Sequence, residues 1–94
     1  MTIPLNTRLS APADVLIREL DGEAVLLNLN SEAYYGLDQV GTRMWTVLTS
    51  SESIQAAYDT LLAEYEVEPA RLHQDLTDLI ERLVEHGLLE VSGA

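Results

Sequence analysis

The groups in this 94-residue chain with types and spacings suited to chemistry are its two histidines, a few paired carboxylates and one aromatic–glycine segment. His73 and His86 fall on one expected helix, about 20 Å apart along its axis at 1.5 Å per residue, too far to share a metal ion within one chain. They read as surface histidines. Glu64/Glu66 and Asp75/Asp78 could in principle do acid–base work, but no nucleophile or oxyanion motif accompanies them, so they read as solvated charge. The five glycines are isolated, so no phosphate-cradling loop is present, and the absence of cysteine excludes disulfides, thiolate nucleophiles and Cys-based metal sites. No catalytic residue, cofactor or metal is therefore expected.

The aromatic–glycine segment is different. Leu27–Asp38, LNLNSEAYYGLD, reads as a hydrophobic strand, a turn and a short second strand over Ala33–Leu37. A short strand just before a helical half is suited to a sheet edge, where unpaired N–H and C=O groups let a second chain add a strand. Tyr34 and Tyr35 must point to opposite faces, so one packs inward while the other can line a groove. Gly36 would let another backbone approach closely, although a bulge would explain it equally. This points to a peptide-binding module and not to an enzyme.

The elements that hold that strand follow from periodicity and turn chemistry. A first strand is expected near Asn6–Ser10, with residues 1–5 loosely ordered. Asp14–Leu20 is β-rich, and Asp21-Gly22 suits the two φ > 0 positions of a type I′ hairpin. Glu23–Leu29 returns antiparallel, with Val25, Leu27 and Leu29 sharing one face. Asn30-Ser31 turns the chain again, and the meander has three or four strands.

Three helices follow. Asp38 is placed to cap a helix to about Leu48, with Val40, Met44, Val47 and Leu48 as its apolar face, Trp45 in the core and Gly41 allowing close packing on the sheet. Ser51 or Ser53 caps a second helix to about Tyr65, its stripe formed by Ile54, Ala57, Tyr58, Leu61 and Leu62. Pro69 begins a third that runs to about His86, with Leu72, Leu76, Leu79, Ile80 and Leu83 on one arc and Arg71–Asp75 and Asp78–Arg82 as i,i+4 pairs. Gly87 is placed to end it in the left-handed region, and Leu88–Val91 turns back as a short strand. The expected class is α+β and winged helix-turn-helix-like: a three-stranded antiparallel sheet followed by three helices, one domain over residues 1–94.

Composition narrows the partners. Sixteen acidic residues against five basic ones, all arginine, give a net charge of −11, which suits neither nucleic acid nor an anionic membrane. On the third helix, Asp75, Asp78, Glu81 and Glu85 outnumber Arg71 and Arg82, so that face would repel phosphate. No apolar run approaches a bilayer span and the N-terminus lacks a secretory pattern, so a cytoplasmic protein is expected.

Taken as a unit, LLNLNSEAYYGLDQVGTRMWTVL followed by SIQAAYDTLLAEYEVEPARLHQDLTDLIERLVEHGLL resembles the PqqD-like family over roughly Asp14–Leu89. The resemblance rests on the strand into YYGLD, the Gly41–Trp45 spacing, and the Asp75, Leu79, Leu83, Gly87-Leu88-Leu89 ending. It implies a recognition element for ribosomally synthesised, modified peptides, with a precursor's leader peptide added as a strand beside the third strand. Its side chains would settle against the third helix. The implied site residues are Glu32, Ala33, Tyr34, Tyr35, Gly36 and Leu37 on the strand side, and Leu72, Asp75, Leu76, Leu79 and Arg82 on the helix side. An aromatic or proline-flanked leader anchor is expected near Tyr34 or Tyr35 and Leu79.

Stand-alone chains of this type look most like the leader-binding subunit of lasso-peptide biosynthesis. The partners so implied are the leader, a cysteine-protease leader peptidase and an ATP-dependent macrolactam synthetase. The alternatives are a PqqD proper that presents its precursor to a radical-SAM enzyme, or a structural winged-helix subunit.

Overall fold

The computed structural model describes residues 3–91. The elements run β1 (Leu9–Ser10), β2 (Val15–Leu20), β3 (Glu23–Asn28), β4 (Tyr34–Leu37), α1 (Gln39–Ser50), α2 (Ile54–Glu64), α3 (Pro69–Glu85) and β5 (Glu90–Val91). The meander is the antiparallel sheet β2-β3-β4, followed by three helices, as expected. Asp21 and Gly22 both have positive φ, 56° and 81°, which is the type I′ requirement and matches the twist of the strands they join. Among the described residues, no helix is long and apolar enough to cross a membrane.

The expected first strand does not join the meander. It shrinks to β1 and pairs with β5, Leu9 opposite Val91 and Ser10 opposite Glu90, so the two ends of the chain close on each other. Of the segment expected to be loose, residues 1–2 lie outside the described residues. Further along, Ile3 packs against the core, and the carbonyls of Leu5 and Thr7 accept from the Gln55 and Ile54 N–H groups at 2.9 and 2.8 Å. With the Ser53 hydroxyl accepting from Ala56 N–H at 3.1 Å, the first three orphan donors of α2 are satisfied. The N-terminal chain acts as a cap.

The face of β3 that carries Val25, Leu27 and Leu29 is not the one that turns inward. Ala24, Leu26 and Asn28 are buried, whereas Val25 and Leu29 are exposed and Leu27 is half-buried. Pairing explains the choice: directly opposed residues share a face, and Leu26 and Ala24 lie opposite Tyr35 and Leu37. Small Ala24 also brings its backbone to α1, where its N–H donates to the buried Thr42 hydroxyl at 2.9 Å. That hydroxyl lies 3.4 Å from the Leu37 carbonyl and so bridges the last rung between β3 and β4. Thr42→Val keeps the shape but strands a buried N–H. It is expected to lower the urea midpoint by the equivalent of about 1–3 kcal/mol at unchanged m-value.

The core lies between the sheet and the helices and is built from Leu9, Leu26, Trp45, Leu48, Leu61, Leu76, Leu83 and Leu88. α1 packs on β3, β4 and α2, and α2 packs in turn on α3. Arg43 on α1 makes a two-pronged ion pair with Glu64 at the end of α2, with Nε–Oε2 at 2.9 Å. Its hydrogen bonds hold the Glu64 carboxylate below the usual range. α3 ends as expected, His86 capping and Gly87 at φ 68°.

A groove between the edge strand and the third helix

Among the described residues, β4 is a free edge with one hydrogen-bonded neighbour, β3. Asn28 N–H donates to the Ala33 carbonyl at 2.8 Å, and these two residues stand opposite each other in register. Hydrogen-bonded pairs alternate along an antiparallel ladder, so Ala33, Tyr35 and Leu37 turn their backbone groups to β3. Tyr34 and Gly36 therefore turn theirs outward. A Cβ built on Gly36 meets nothing within 4 Å, so this part of the edge is open.

Beside the edge lies an open groove of ≈ 310 Å³. Tyr35, Gly36 and Leu37 form its strand wall, and Asp75, Asp78, Leu79 and Arg82 form its helix wall. The four helix residues fall at i, i+3, i+4 and i+7, a single face of α3. Val40, Gly41 and Met44 of α1 make the floor, with Asp38 at its end. Asp38 is held as the N-cap, its Oδ1 accepting from Gly41 N–H at 2.7 Å. A Cβ at Gly41 would come 3.3 Å from both Asp38 Oδ1 and Leu37, so glycine keeps this corner clear.

The structure thus brings together six of the eleven expected site residues: Tyr35, Gly36, Leu37, Asp75, Leu79 and Arg82. Tyr34 instead projects from the opposite sheet face, 75% exposed. Glu32 and Ala33 precede β4, with Glu32 at φ 61° in the turn. Leu72 and Leu76 are 4% and 2% exposed and belong to the core, because they form the inner seam of α3 with Ile80 and Leu83. The expected Asp78–Arg82 pair is also not made. Asp78 accepts from Gln74 Nε2 at 2.9 Å, and Arg82 Nη1 reaches Tyr35 Oη at 3.4 Å. Arg71–Asp75 does meet, at 3.8 Å, between two exposed side chains.

Sequence reasoning missed the contribution of α1. Val40, on the apolar face of α1, is 46% exposed and lines the groove. Its spacing with Met44, one turn apart and next to Gly41, was the available signal.

The groove is apolar along Leu37, Val40, Met44 and Leu79 and charged along its rims. Its charged residues are Asp38, Asp75, Asp78 and Arg82, the last beside Tyr35. The Tyr35 hydrogen bond, ahead of the Asp78 charge, raises the Arg82 pKa above its already high ordinary value, so this cation persists at any working pH. His86 stacks at a tilt on Tyr35, ring centroids 6.1 Å apart, and its Nδ1–H donates to the Arg82 carbonyl at 2.7 Å. Tyr35 is thereby braced from α3. Among the described residues, no group of three or more His, Cys, Asp or Glu gathers as a metal site. This arrangement can bind an extended chain: two outward backbone positions next to an apolar trough.

Comparison with known proteins agrees on the fold. The family model described as coenzyme PQQ synthesis protein D (PqqD) matches residues 23–89. Of the solved structures, TbiB1 in complex with the TbiA(beta) leader peptide is 33% identical, with a TM-score of 0.80 over 90% of this chain and 99% of that one. A lasso peptide synthetase B1 complexed with the leader peptide is 24% identical, with a TM-score of 0.78 over 88% of this chain and 98% of that one; at that identity the likeness is one of fold. No curated protein matches.

Proposed function

The chain belongs to the PqqD family, and from that membership we propose that it is a cytoplasmic, non-catalytic adaptor for the leader peptide of a ribosomally synthesised precursor. The leader adds a strand to β4, bonded to the backbone of Tyr34 and Gly36, and drops alternate side chains into the trough of Leu37, Val40, Met44 and Leu79. An apolar or aromatic anchor packs between Tyr35 and Leu79. The adaptor delivers the bound precursor to a cysteine-protease leader peptidase, and a macrolactam synthetase acts afterwards. The 33% identity to a protein solved with a leader peptide supports leader binding, and the lasso-type branch is preferred to presentation to a radical-SAM enzyme on the sequence resemblance.

The observation that carries this reading is the open β4 edge lying directly against an apolar groove. Each main-chain bond contributes about 0.5–1.5 kcal/mol net, and the disordered leader loses freedom on binding, so the apolar anchor must supply the rest. Amide NMR spectra recorded during titration with leader peptide should show shifts over residues 34–37 and 75–82, and none with a core-only peptide. No response in the folded protein would defeat the proposal. Leu79→Ala removes one side of the anchor pocket while leaving the buried seam intact, and should weaken leader binding roughly tenfold, about 1.4 kcal/mol. Unchanged affinity would show that the anchor is seated elsewhere.

A further inference from the structure

The edge of β4 borders a second hollow besides the groove. This open hollow, of ≈ 460 Å³, shares Gly36, Leu37 and Asp38 with the groove, and its own apolar wall is Leu20 and Val25 beside Glu23. It reaches round to the sheet face turned away from the helices. Arg18, Val25 and Gly36 form one row across the three strands on that face, as their register shows. Tyr34, two residues before Gly36, shares it, so β4 presents a ring and then a gap. Around the gap, Leu20, Val25 and Tyr34 are 77%, 47% and 75% exposed. Gly36 is not one of the glycines at positive φ, which are Gly22 and Gly87, so its backbone conformation does not call for glycine. What glycine provides there is room, since a Cβ would meet nothing within 4 Å.

A chain added to β4 meets both hollows. Its successive side chains point to opposite faces, and residues opposed across a ladder share a face. Those opposite Tyr35 and Leu37 turn to the groove, and the one opposite Gly36 turns to the second hollow. That residue is the fourth member of the row of Arg18, Val25 and Gly36, two strand spacings or roughly 10 Å from β3. With no side chain at Gly36 between them, a long flat side chain can lie over the glycine and meet Val25, with Tyr34 as its diagonal neighbour. A short aliphatic side chain does not span that distance. An aromatic ring laid across a strand glycine also pins register, which main-chain bonds alone leave free to slip. We propose that this hollow is a second side-chain subsite, taking an aromatic residue of the chain bound at β4. The inference rests on the adaptor reading above and deepens it: the leader is read from both faces of its strand. Its aromatic residue stands an odd number of positions from the residue in the groove.

The test titrates a labelled synthetic leader peptide and its alanine scan against the wild-type chain, Leu79→Ala and Val25→Ala/Tyr34→Ala. The double variant alters only side chains exposed on the face away from the helices. One aromatic leader position is expected to lose roughly fivefold in affinity on replacement by alanine with the wild-type chain, but no more than about twofold with Val25→Ala/Tyr34→Ala. That position should lie an odd number of residues from the one whose loss is masked by Leu79→Ala. Wild-type affinity of the double variant for the unaltered leader overturns the proposal, as does a scan in which every sensitive position shares one parity. Either result is obtained with a leader that binds, so the adaptor reading would stand without this subsite. A leader that fails to bind the wild-type chain sinks both.

Discussion

Gly36→Pro should nearly abolish leader binding in a domain that still folds. Gly36 turns its N–H away from β3, so proline there removes no bond within the sheet. Edge positions of this kind tolerate proline. A chain adding to β4, however, loses the Gly36 donor, leaves one of its own carbonyls unpaired, and meets the pyrrolidine ring where its backbone must lie. Together these should cost about 2–4 kcal/mol, roughly thirtyfold to several hundredfold in affinity. Gly36→Ala is the matched control. Its Cβ would meet nothing within 4 Å and its N–H remains, so its affinity should stay within about twofold of wild type. Anisotropy of a labelled leader measures both. A proline variant that binds like wild type would mean that the leader does not run along β4.

The features legible in the sequence were those determined by residues next to one another. Asp21-Gly22 has its turn, Asp38 and Ser53 have their caps, and Gly87 its left-handed stop, because each needs only a local conformation or one nearby donor. The fold class followed from these and from the helical stripes. What escaped depends on pairing between distant segments. β3 has apolar residues in both parities, so the shared face of Val25, Leu27 and Leu29 could not say which side turns inward. The register with Tyr35 and Leu37 decided it.

The same limit applied to the site. The leucine stripe of α3 is real, but a stripe marks what packs, and Leu72 and Leu76 pack into the core. The groove face is the adjacent set at Asp75, Asp78, Leu79 and Arg82, half of it charged, which a search for apolar periodicity discards. The pairing of β1 with β5 joins two-residue strands from opposite ends of the chain, too short to carry a periodic signal.

Asn28 shows how much can rest on a residue that periodicity ignores, and Asn28→Ala should be among the most damaging polar substitutions in the molecule. Its Oδ1 accepts from Asn30 and Ser31 N–H at 2.9 and 3.1 Å, folding the turn that leads into β4. Its Nδ2 donates to the Gly87 carbonyl at 2.8 Å, at the residue that ends α3. One nearly buried side chain therefore fixes the start of the strand wall and the end of the helix wall. Packing there is close: a Cβ on Gly87 would come within 3.1 Å of that same Nδ2. Removing the amide loses three hydrogen bonds and leaves the Gly87 carbonyl without this donor, a cost of about 2–4 kcal/mol in unfolding free energy. Asn28→Asp keeps the acceptor for the turn but turns a carboxylate toward the Gly87 carbonyl, so it should not rescue stability. Hydrogen exchange should accelerate first at residues 30–33 and 86–89, and leader affinity should fall even under conditions where the variant is fully folded. A loss below about 1 kcal/mol, or exchange that rises evenly through the domain, would mean that the two walls are held independently and that Asn28 is an ordinary turn residue.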